Sequence, residues 1–109
     1  MIVEERLVTY LNSLDIGNPL FLMELEEEAH KNFVPVIRAE TQNLLKLLLA
    51  MNRPKRILEV GTAVGFSALL MEYYNPTACK ITTIENYAKR IPIARENFVR
   101  AGKQNVIEL

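Results

Sequence analysis

The spacing of apolar residues changes along this chain, and the change separates helices from strands. In the first half the apolar positions recur every three or four residues, as in helices that bury one side. Three such stretches are present: Val3, Leu7, Tyr10, Leu11 and Leu14; then Leu22, Leu25, Ala29 and Phe33; then residues 38–51. The third is leucine-rich around most of its circumference, so we expect it to be buried against a broad surface such as a sheet.

Short apolar runs rich in β-branched residues follow in the second half. Residues 56–60, 80–85 and 105–109 are predicted to be parallel strands. Residues 67–74 are predicted to form one intervening helix, and Tyr87, Ile91, Ala94 and Phe98 line one face of the next. Pro92 should kink that helix or mark its first turn, and Gly102 should end it.

The order strand–helix–strand–helix–strand leaves one face of the sheet uncovered. Right-handed crossovers place both intervening helices on the same face. The other face is expected to show side chains drawn, according to register, from Ile57, Leu58, Val60, Ile81, Thr83, Val106 and Ile107. Because such a patch is unusual on a monomer, we expect a homodimer that covers this face or the open edge of the first strand, with exchanged N-terminal helices as one route. The alternative is that the first two helices fold back over the face within one chain.

The turn after the first strand carries the candidate chemistry. Gly61 and Gly65 separate that strand from a helix, an arrangement in which backbone N–H groups face a bound ligand. Glu59 would repel a pyrophosphate but suits a ligand with positive charge. Glu85 follows about twenty residues after the turn, where an acidic residue accepts hydrogen bonds from a ribose diol. The alternative is a tight turn without a ligand, with Ser67 as a helix cap.

These residues carry a resemblance to a known family. The sequence EVGTAVGFS at residues 59–67, TIE at 83–85 and the helix at 37–45 resemble the S-adenosylmethionine-dependent O-methyltransferases of the catechol and caffeoyl-CoA type. The chain is most similar to the bacterial branch that methylates 5-hydroxyuridine at the tRNA wobble position. The resemblance covers nearly the whole chain, and its motifs are specific for the cofactor and weak for the substrate.

The resemblance implies an α/β fold. N-terminal helices (residues 1–35) precede the first half of a Rossmann-like class I methyltransferase sheet with three parallel strands (residues 36–109). Similar proteins continue into four more strands, so we expect the chain to be a truncated N-terminal part.

The resemblance also implies residues that hold S-adenosylmethionine. Gly61 and Thr62 border its methionine end through backbone groups, and Ser67 hydrogen-bonds its carboxylate. Glu59 favours the ammonium and sulfonium side. Glu85 takes the ribose hydroxyls.

Two residues at the start of the third helix have weaker assignments. Ile37 would contact the cofactor through its main chain, or it only packs. Arg38 could meet a tRNA phosphate, but a surface or salt-bridged arginine is the expected role.

Catalysis in this family uses a divalent metal, expected here as Mg²⁺ in the intact parent only. Its ligands follow the fourth and fifth strands in the family pattern, beyond Leu109. We therefore predict no metal ligand and no catalytic base in this chain, and no methyl transfer by the 109 residues alone. Two alternatives stay open: a small catechol-like substrate instead of tRNA, and an inactive fragment that only binds a nucleotide or associates with itself.

Composition bears on the binding partners and the cellular location of the protein. The formal net charge of zero gives no indication of a nucleic-acid surface. The single cysteine, Cys79, excludes an internal disulfide and fits a reducing cytoplasm. No apolar run reaches the roughly 20 residues of a membrane span, and the N-terminus does not resemble a signal peptide. We expect a cytoplasmic protein without membrane partners. The glutamates of the second helix and His30 are expected to face solvent.

Overall fold

The computed structural model describes residues 4–14 and 16–109. Their helices are α1 (Glu5–Ser13), α2 (Leu20–Lys31), α3 (Ala39–Asn52), α4 (Phe66–Tyr74) and α5 (Ile91–Arg100), and their strands are β1 (Arg56–Val60), β2 (Lys80–Ile84) and β3 (Ile107–Glu108). This is the predicted order of elements. Val3, the first apolar position of the predicted first helix, lies outside the described residues.

The three strands form one parallel sheet in the order β1-β2-β3. Ile57 pairs with Ile81, and Ile81 pairs with Ile107, so the strands are in line. β1 pairs only with β2 among the described strands and lies at an edge of the sheet. The predicted three-stranded parallel sheet is confirmed.

Helices cover one face of this sheet, as the right-handed crossovers predict. Ile81, Thr83 and Ile107 point to the covered face and are buried. Ile81 and Ile107 share a core with Ala94 and Phe98 of α5 and with most of α4. Because successive side chains of a strand point to opposite faces, the register selects Leu58 and Val60 from the predicted set for the bare face. Ile57, Ile81, Thr83 and Ile107 face the helices instead.

The opposite face is bare in the described structure. Leu58 and Val60 are 68% and 79% exposed, and Ile84 of β2 joins them at 51%. The first two helices do not cover this face: α2 packs on α4, and α1 packs on α3. The alternative in which those helices fold back over the bare sheet is wrong.

Two expectations about the helical layer are corrected. α3 packs mainly on α4, and only Gln42 and Leu49 are fully buried in it. The sheet was the wrong partner because α4 already occupies the space next to it. Phe33 was expected on the buried side of α2, but the helix ends at Lys31 and Phe33 adopts a positive φ of 56°, which leaves it 92% exposed.

Two other helix predictions are confirmed. Pro92 lies in the first turn of α5, where its missing N–H costs no helical hydrogen bond. Gly102 adopts a φ of 70° just after that helix ends. The solvated role of His30 is also confirmed, since it is exposed.

Candidate functional site

The turn between β1 and α4 is fixed by backbone hydrogen bonds. The N–H groups of Gly61 and Thr62 donate to the carbonyl of Ile84, at 2.8 and 3.2 Å, and the N–H of Gly65 donates to the carbonyl of Thr62 at 2.9 Å. Gly61 and Gly65 have φ angles of 96° and 92°, which disfavour residues with a side chain. The turn is therefore tied to the carboxyl end of β2.

Helix α5 supports the turn from the side of the core. A Cβ atom on Gly65 would lie 2.6 Å from the ring of Phe98, so the glycine is required for this close approach. The side-chain amide of the buried Asn97 donates to the carbonyl of Val64 at 2.8 Å. Both contacts hold the glycine turn, just before α4, against α5.

Glu59 is the centre of a hydroxyl network on the covered face of the sheet. Ser67 donates a short hydrogen bond to one carboxylate oxygen, and Thr83 donates to the other at 2.7 Å. Since the proton of Thr83 is used there, Thr62 is the donor in the Thr62–Thr83 hydrogen bond of 2.5 Å. Burial raises the pKa of Glu59, and the hydrogen bonds from Ser67 and Thr83 oppose that rise.

Glu85 follows β2 and is held by main-chain groups instead. The N–H of Ala63 donates to one carboxylate oxygen at 2.8 Å, and the N–H of Tyr87 donates to the other at 3.0 Å. These two bonds lower the pKa of Glu85, and the positive charge of Arg90 adds to the effect. Glu85 is therefore an ionised carboxylate next to the turn.

The structure brings five of the six predicted cofactor residues to one strand–turn–helix unit. Glu59 is hydrogen-bonded to Ser67 directly and to Thr62 through Thr83. Glu85 accepts a hydrogen bond from the turn at Ala63. The N–H groups of Gly61 and Thr62 donate to the same carbonyl. The prediction that these residues bind the cofactor stays a prediction.

Ile37 belongs to a different set of contacts. It is half-buried against the core, and its carbonyl accepts a hydrogen bond of 2.9 Å from the side chain of Gln42. Gln42 is buried, donates to Glu26 at 2.6 Å and accepts from Asn18 at 2.9 Å. These bonds link the segment before α3 to α2 and to the α1–α2 connection.

Arg38 forms an ion pair with Glu40 at 2.9 Å, which confirms the expected salt-bridged role. Cys79 is a free thiol, half-buried against the core. Sequence reasoning missed Thr83, Gln42 and Asn97 as polar groups inside the fold. Thr83 could have been found, because strict alternation in β2 places it on the same face as the apolar Ile81.

In the described part of the chain, no group of three or more His, Cys, Asp or Glu side chains is placed to hold a metal ion. These residues do not fit a divalent metal centre. None of the helices in residues 4–14 and 16–109 has the length and apolar character that a membrane span requires.

Comparison with known proteins gives a consistent result. A family model described as O-methyltransferase matches residues 12–109. A catechol O-methyltransferase from Niastella koreensis is 32% identical over 65 residues, which are 60% of this chain and 29% of that protein.

Two solved structures share the fold. The O-methyltransferase TomG from Streptomyces achromogenes, involved in tomaymycin synthesis and solved in complex with SAM, matches with a TM-score of 0.76 and 26% identity over 99% of this chain and 51% of its own. The SAH-bound methyltransferase PaMTH1 from Podospora anserina matches with a TM-score of 0.86 and 25% identity over 100% of this chain and 50% of its own. The chain thus spans about half the length of these two structures and less than a third of the Niastella relative.

The sheet order, the glycine turn and the acidic residues at two strand ends match what the sequence motifs predict. The family model covers nearly the whole chain, and the solved relatives carry SAM or SAH. On this evidence the chain belongs to the S-adenosylmethionine-dependent O-methyltransferase family.

Proposed function

We propose that this chain forms the S-adenosylmethionine-binding part of an enzyme that transfers a methyl group to a hydroxyl oxygen. One observation carries the proposal: two carboxylates in different electrostatic states flank a single glycine turn. S-adenosylmethionine has an ammonium and a sulfonium at one end and a ribose diol further along. A site for it therefore needs negative charge near the first and hydrogen-bond acceptors near the second.

Glu85 suits the ribose diol. Its carboxylate is kept ionised by the N–H groups of Ala63 and Tyr87, and each oxygen takes one of these bonds. Each oxygen therefore keeps lone pairs for a ribose hydroxyl. Because the bonds come from the main chain, they also fix the direction of the carboxylate before the ligand arrives.

Glu59 and Ser67 suit the methionine end. A cofactor ammonium close to Glu59 would favour its ionised form and so reverse the effect of burial on its pKa. Ser67 has a single hydroxyl proton, which Glu59 accepts in this structure. To bind the cofactor carboxylate, the Ser67 hydroxyl would have to turn away from Glu59. Gly61 and Thr62 would border this end through their backbone groups.

Ile37 remains in the proposed site through its main chain. Its carbonyl already accepts a bond from Gln42, so a contact with the cofactor would use the second lone pair or the neighbouring peptide group. Packing alone is the competing role for this residue.

When bound, S-adenosylmethionine supplies an electrophilic methyl group on sulfur. The acceptor is proposed to be a hydroxyl, either of 5-hydroxyuridine at the tRNA wobble position or of a small catechol-like molecule. Mg²⁺ is proposed only for a longer parent protein, in which strands that follow these three would carry its ligands. A homodimer and a cytoplasmic location complete the proposal.

Titration calorimetry with S-adenosylmethionine tests the cofactor site. Glu85→Ala should weaken binding by about 1–3 kcal/mol, because the ribose hydroxyls lose their charged acceptor. Glu27→Ala, on the exposed side of α2, is the matched control and should leave the affinity unchanged. Equal affinities for all three proteins would remove Glu85 from the site.

Methyl transfer is tested separately with labelled S-adenosylmethionine and either hydroxylated tRNA or a catechol. The 109-residue chain is expected to transfer no methyl group. Turnover above a protein-free control would show that the catalytic groups lie within these residues.

A further inference from the structure

The segment between α2 and α3 has few main-chain hydrogen bonds to hold it. At one end the N–H of Val34 donates to a carbonyl of α2 at 2.8 Å, and at the other the carbonyl of Arg38 accepts from the N–H of Gln42 at 2.9 Å. Of the main-chain groups of residues 35–37, the described structure gives a hydrogen bond to the Ile37 carbonyl alone, from the side chain of Gln42 at 2.9 Å. The direction of this carbonyl therefore depends on one side chain.

The side-chain amide of Gln42 is itself fixed. It is buried, and its nitrogen donates to the Glu26 carboxylate at 2.6 Å as well as to the Ile37 carbonyl, while its oxygen accepts from Asn18 at 2.9 Å. Both partners of the nitrogen are acceptors, so the amide cannot turn over without placing its own oxygen against them. Gln42 therefore holds the Ile37 carbonyl in one direction.

A fixed Ile37 carbonyl also fixes the next N–H group. The peptide between Ile37 and Arg38 is planar and trans, so its N–H points in the direction opposite to its carbonyl. Because the carbonyl points at the buried Gln42, the N–H of Arg38 points away from it. In the described part of the chain this N–H donates to no protein group, so it can donate to a ligand.

We propose that Gln42 is a positioning residue for cofactor binding: it holds the Ile37–Arg38 peptide in the direction in which that peptide meets S-adenosylmethionine. The inference rests on the proposed function, because it takes the main chain at Ile37 as part of the cofactor site. Val36 and Ile37 pack against the core that contains Phe66, the first residue of α4, so the segment and the glycine turn share one support. A peptide whose direction is set before the ligand arrives loses less freedom on binding.

The competing role for Gln42 is purely structural, as a tie between α3 and α2. Such a tie would affect the stability of the fold but not the affinity for the cofactor. Asn75 provides a matched control, because it is also buried and its side-chain amide also donates to a main-chain carbonyl, that of Pro54, at 2.7 Å. Pro54 precedes β1, whereas the glycine turn follows it, so this tie lies at the other end of the strand.

Titration calorimetry of the full chain with S-adenosylmethionine compares Gln42→Met with Asn75→Leu. Methionine keeps the length of glutamine but cannot donate to the Ile37 carbonyl. Gln42→Met should raise the dissociation constant at least about fivefold, because the cofactor must then order the peptide itself. Asn75→Leu should change it less than about twofold. Both variants should lower the urea midpoint of unfolding, and circular dichroism confirms that each is folded during the titration.

If the two variants change the dissociation constant equally, the inference about Gln42 fails and the proposed cofactor site stands. A wild type that does not bind S-adenosylmethionine would overturn the proposed function and this inference with it.

A second measurement addresses the peptide without the cofactor. By ¹⁵N relaxation of the ligand-free chain, the order parameter of the Arg38 amide should be about 0.85 in the wild type and in Asn75→Leu. In Gln42→Met it should fall below about 0.6, the range of flexible backbone. An Arg38 amide as rigid in Gln42→Met as in the wild type would overturn the inference at any affinity.

Discussion

Glu59 and Glu85 are two carboxylates at the carboxyl ends of neighbouring strands, yet their environments shift their pKa values in opposite directions. Glu59 is the penultimate residue of β1, points to the covered face and depends on the hydroxyls of Ser67 and Thr83. Glu85 directly follows β2, reaches the surface and depends on main-chain N–H groups. Burial raises the first pKa, and the N–H bonds lower the second.

The difference shows how a fold can give identical side chains opposite pKa shifts. The donors to Glu85 belong to the backbone, so its ionised state follows from the path of the chain. The donors to Glu59 are side chains that substitution can remove. Substitutions that distort the backbone of the glycine turn should therefore disturb both carboxylates. Removal of the Ser67 or Thr83 hydroxyl should disturb only Glu59.

The largest effect is expected from Gly65→Ala, which distorts the backbone of the glycine turn next to both carboxylates. The new methyl group would meet the Phe98 ring and would also occupy a positive φ. The free energy of unfolding should fall by about 2–4 kcal/mol. Urea denaturation measures it.

Gly61→Ala is the control for that substitution. Gly61 has a similar φ, but nothing lies within 4 Å of an added Cβ, so only the backbone strain applies. A loss of about 1–2 kcal/mol is expected. Equal losses for the two variants would show that the Phe98 contact is unimportant.

An intermediate effect is expected from Thr83→Val, which removes one donor to Glu59 and leaves Glu85 untouched. Valine keeps the shape but strands the buried hydroxyl of Thr62 and weakens the support of Glu59. The unfolding free energy should fall by about 1–2 kcal/mol. Thr82→Val, one residue away on the bare face, should change it by less than about 0.5 kcal/mol. If both valine variants lose the same amount, the hydroxyl network does not stabilise the fold.

The smallest effect is expected in the pH dependence of stability, to which Glu59 and Glu85 should each contribute less than about 1 kcal/mol. The folded pKa of Glu85 lies below its ordinary value of 4.5, so its contribution is present above that pH and is lost as the pH falls through the folded pKa. The folded pKa of Glu59 lies above 4.5, so stability declines as the pH rises from 4.5 through that folded value.

Denaturation curves across this range should separate the two groups. Relative to the wild type, Glu59→Gln should gain stability as the pH rises above 4.5, and Glu85→Gln should gain as the pH falls below it. Slopes of the same sign for both variants would contradict the opposite pKa shifts.

Much of the fold was predictable because its signals are local. The apolar runs around Ile57 and Ile81 and the glycines at 61 and 65 determine strands and a turn over a few residues each. The parallel order and the covered face then follow from the handedness of crossovers. The acidic positions Glu59 and Glu85 were also predictable, because each lies within one residue of the end of a predicted strand.

What the sequence did not predict depends on contacts between distant segments. The burial of α3 was overestimated, because its leucine-rich sequence does not reveal whether the side away from α4 is covered. In the structure that side is open, and Leu44 and Leu47 on it are exposed. The role of Thr83 depends on register with Glu59, its partner across β1 and β2. Gln42 of α3 is hydrogen-bonded to Asn18, Glu26 and Ile37, which lie in other segments. The residue pattern within α3 does not predict these contacts.

The position of α5 has a consequence for how this protein tolerates insertions and deletions. Asn97 and Phe98 are consecutive, and both must face Val64 and Gly65, the residues just before α4. One residue gained or lost between Ile91 and Asn97 would rotate both side chains by about 100° around the helix axis. Substitutions along α5 can therefore accumulate on its exposed side, while its length before Asn97 is fixed by the site that it supports. Lineages of this protein should vary in length in the loop after Arg100 before they vary within that helix.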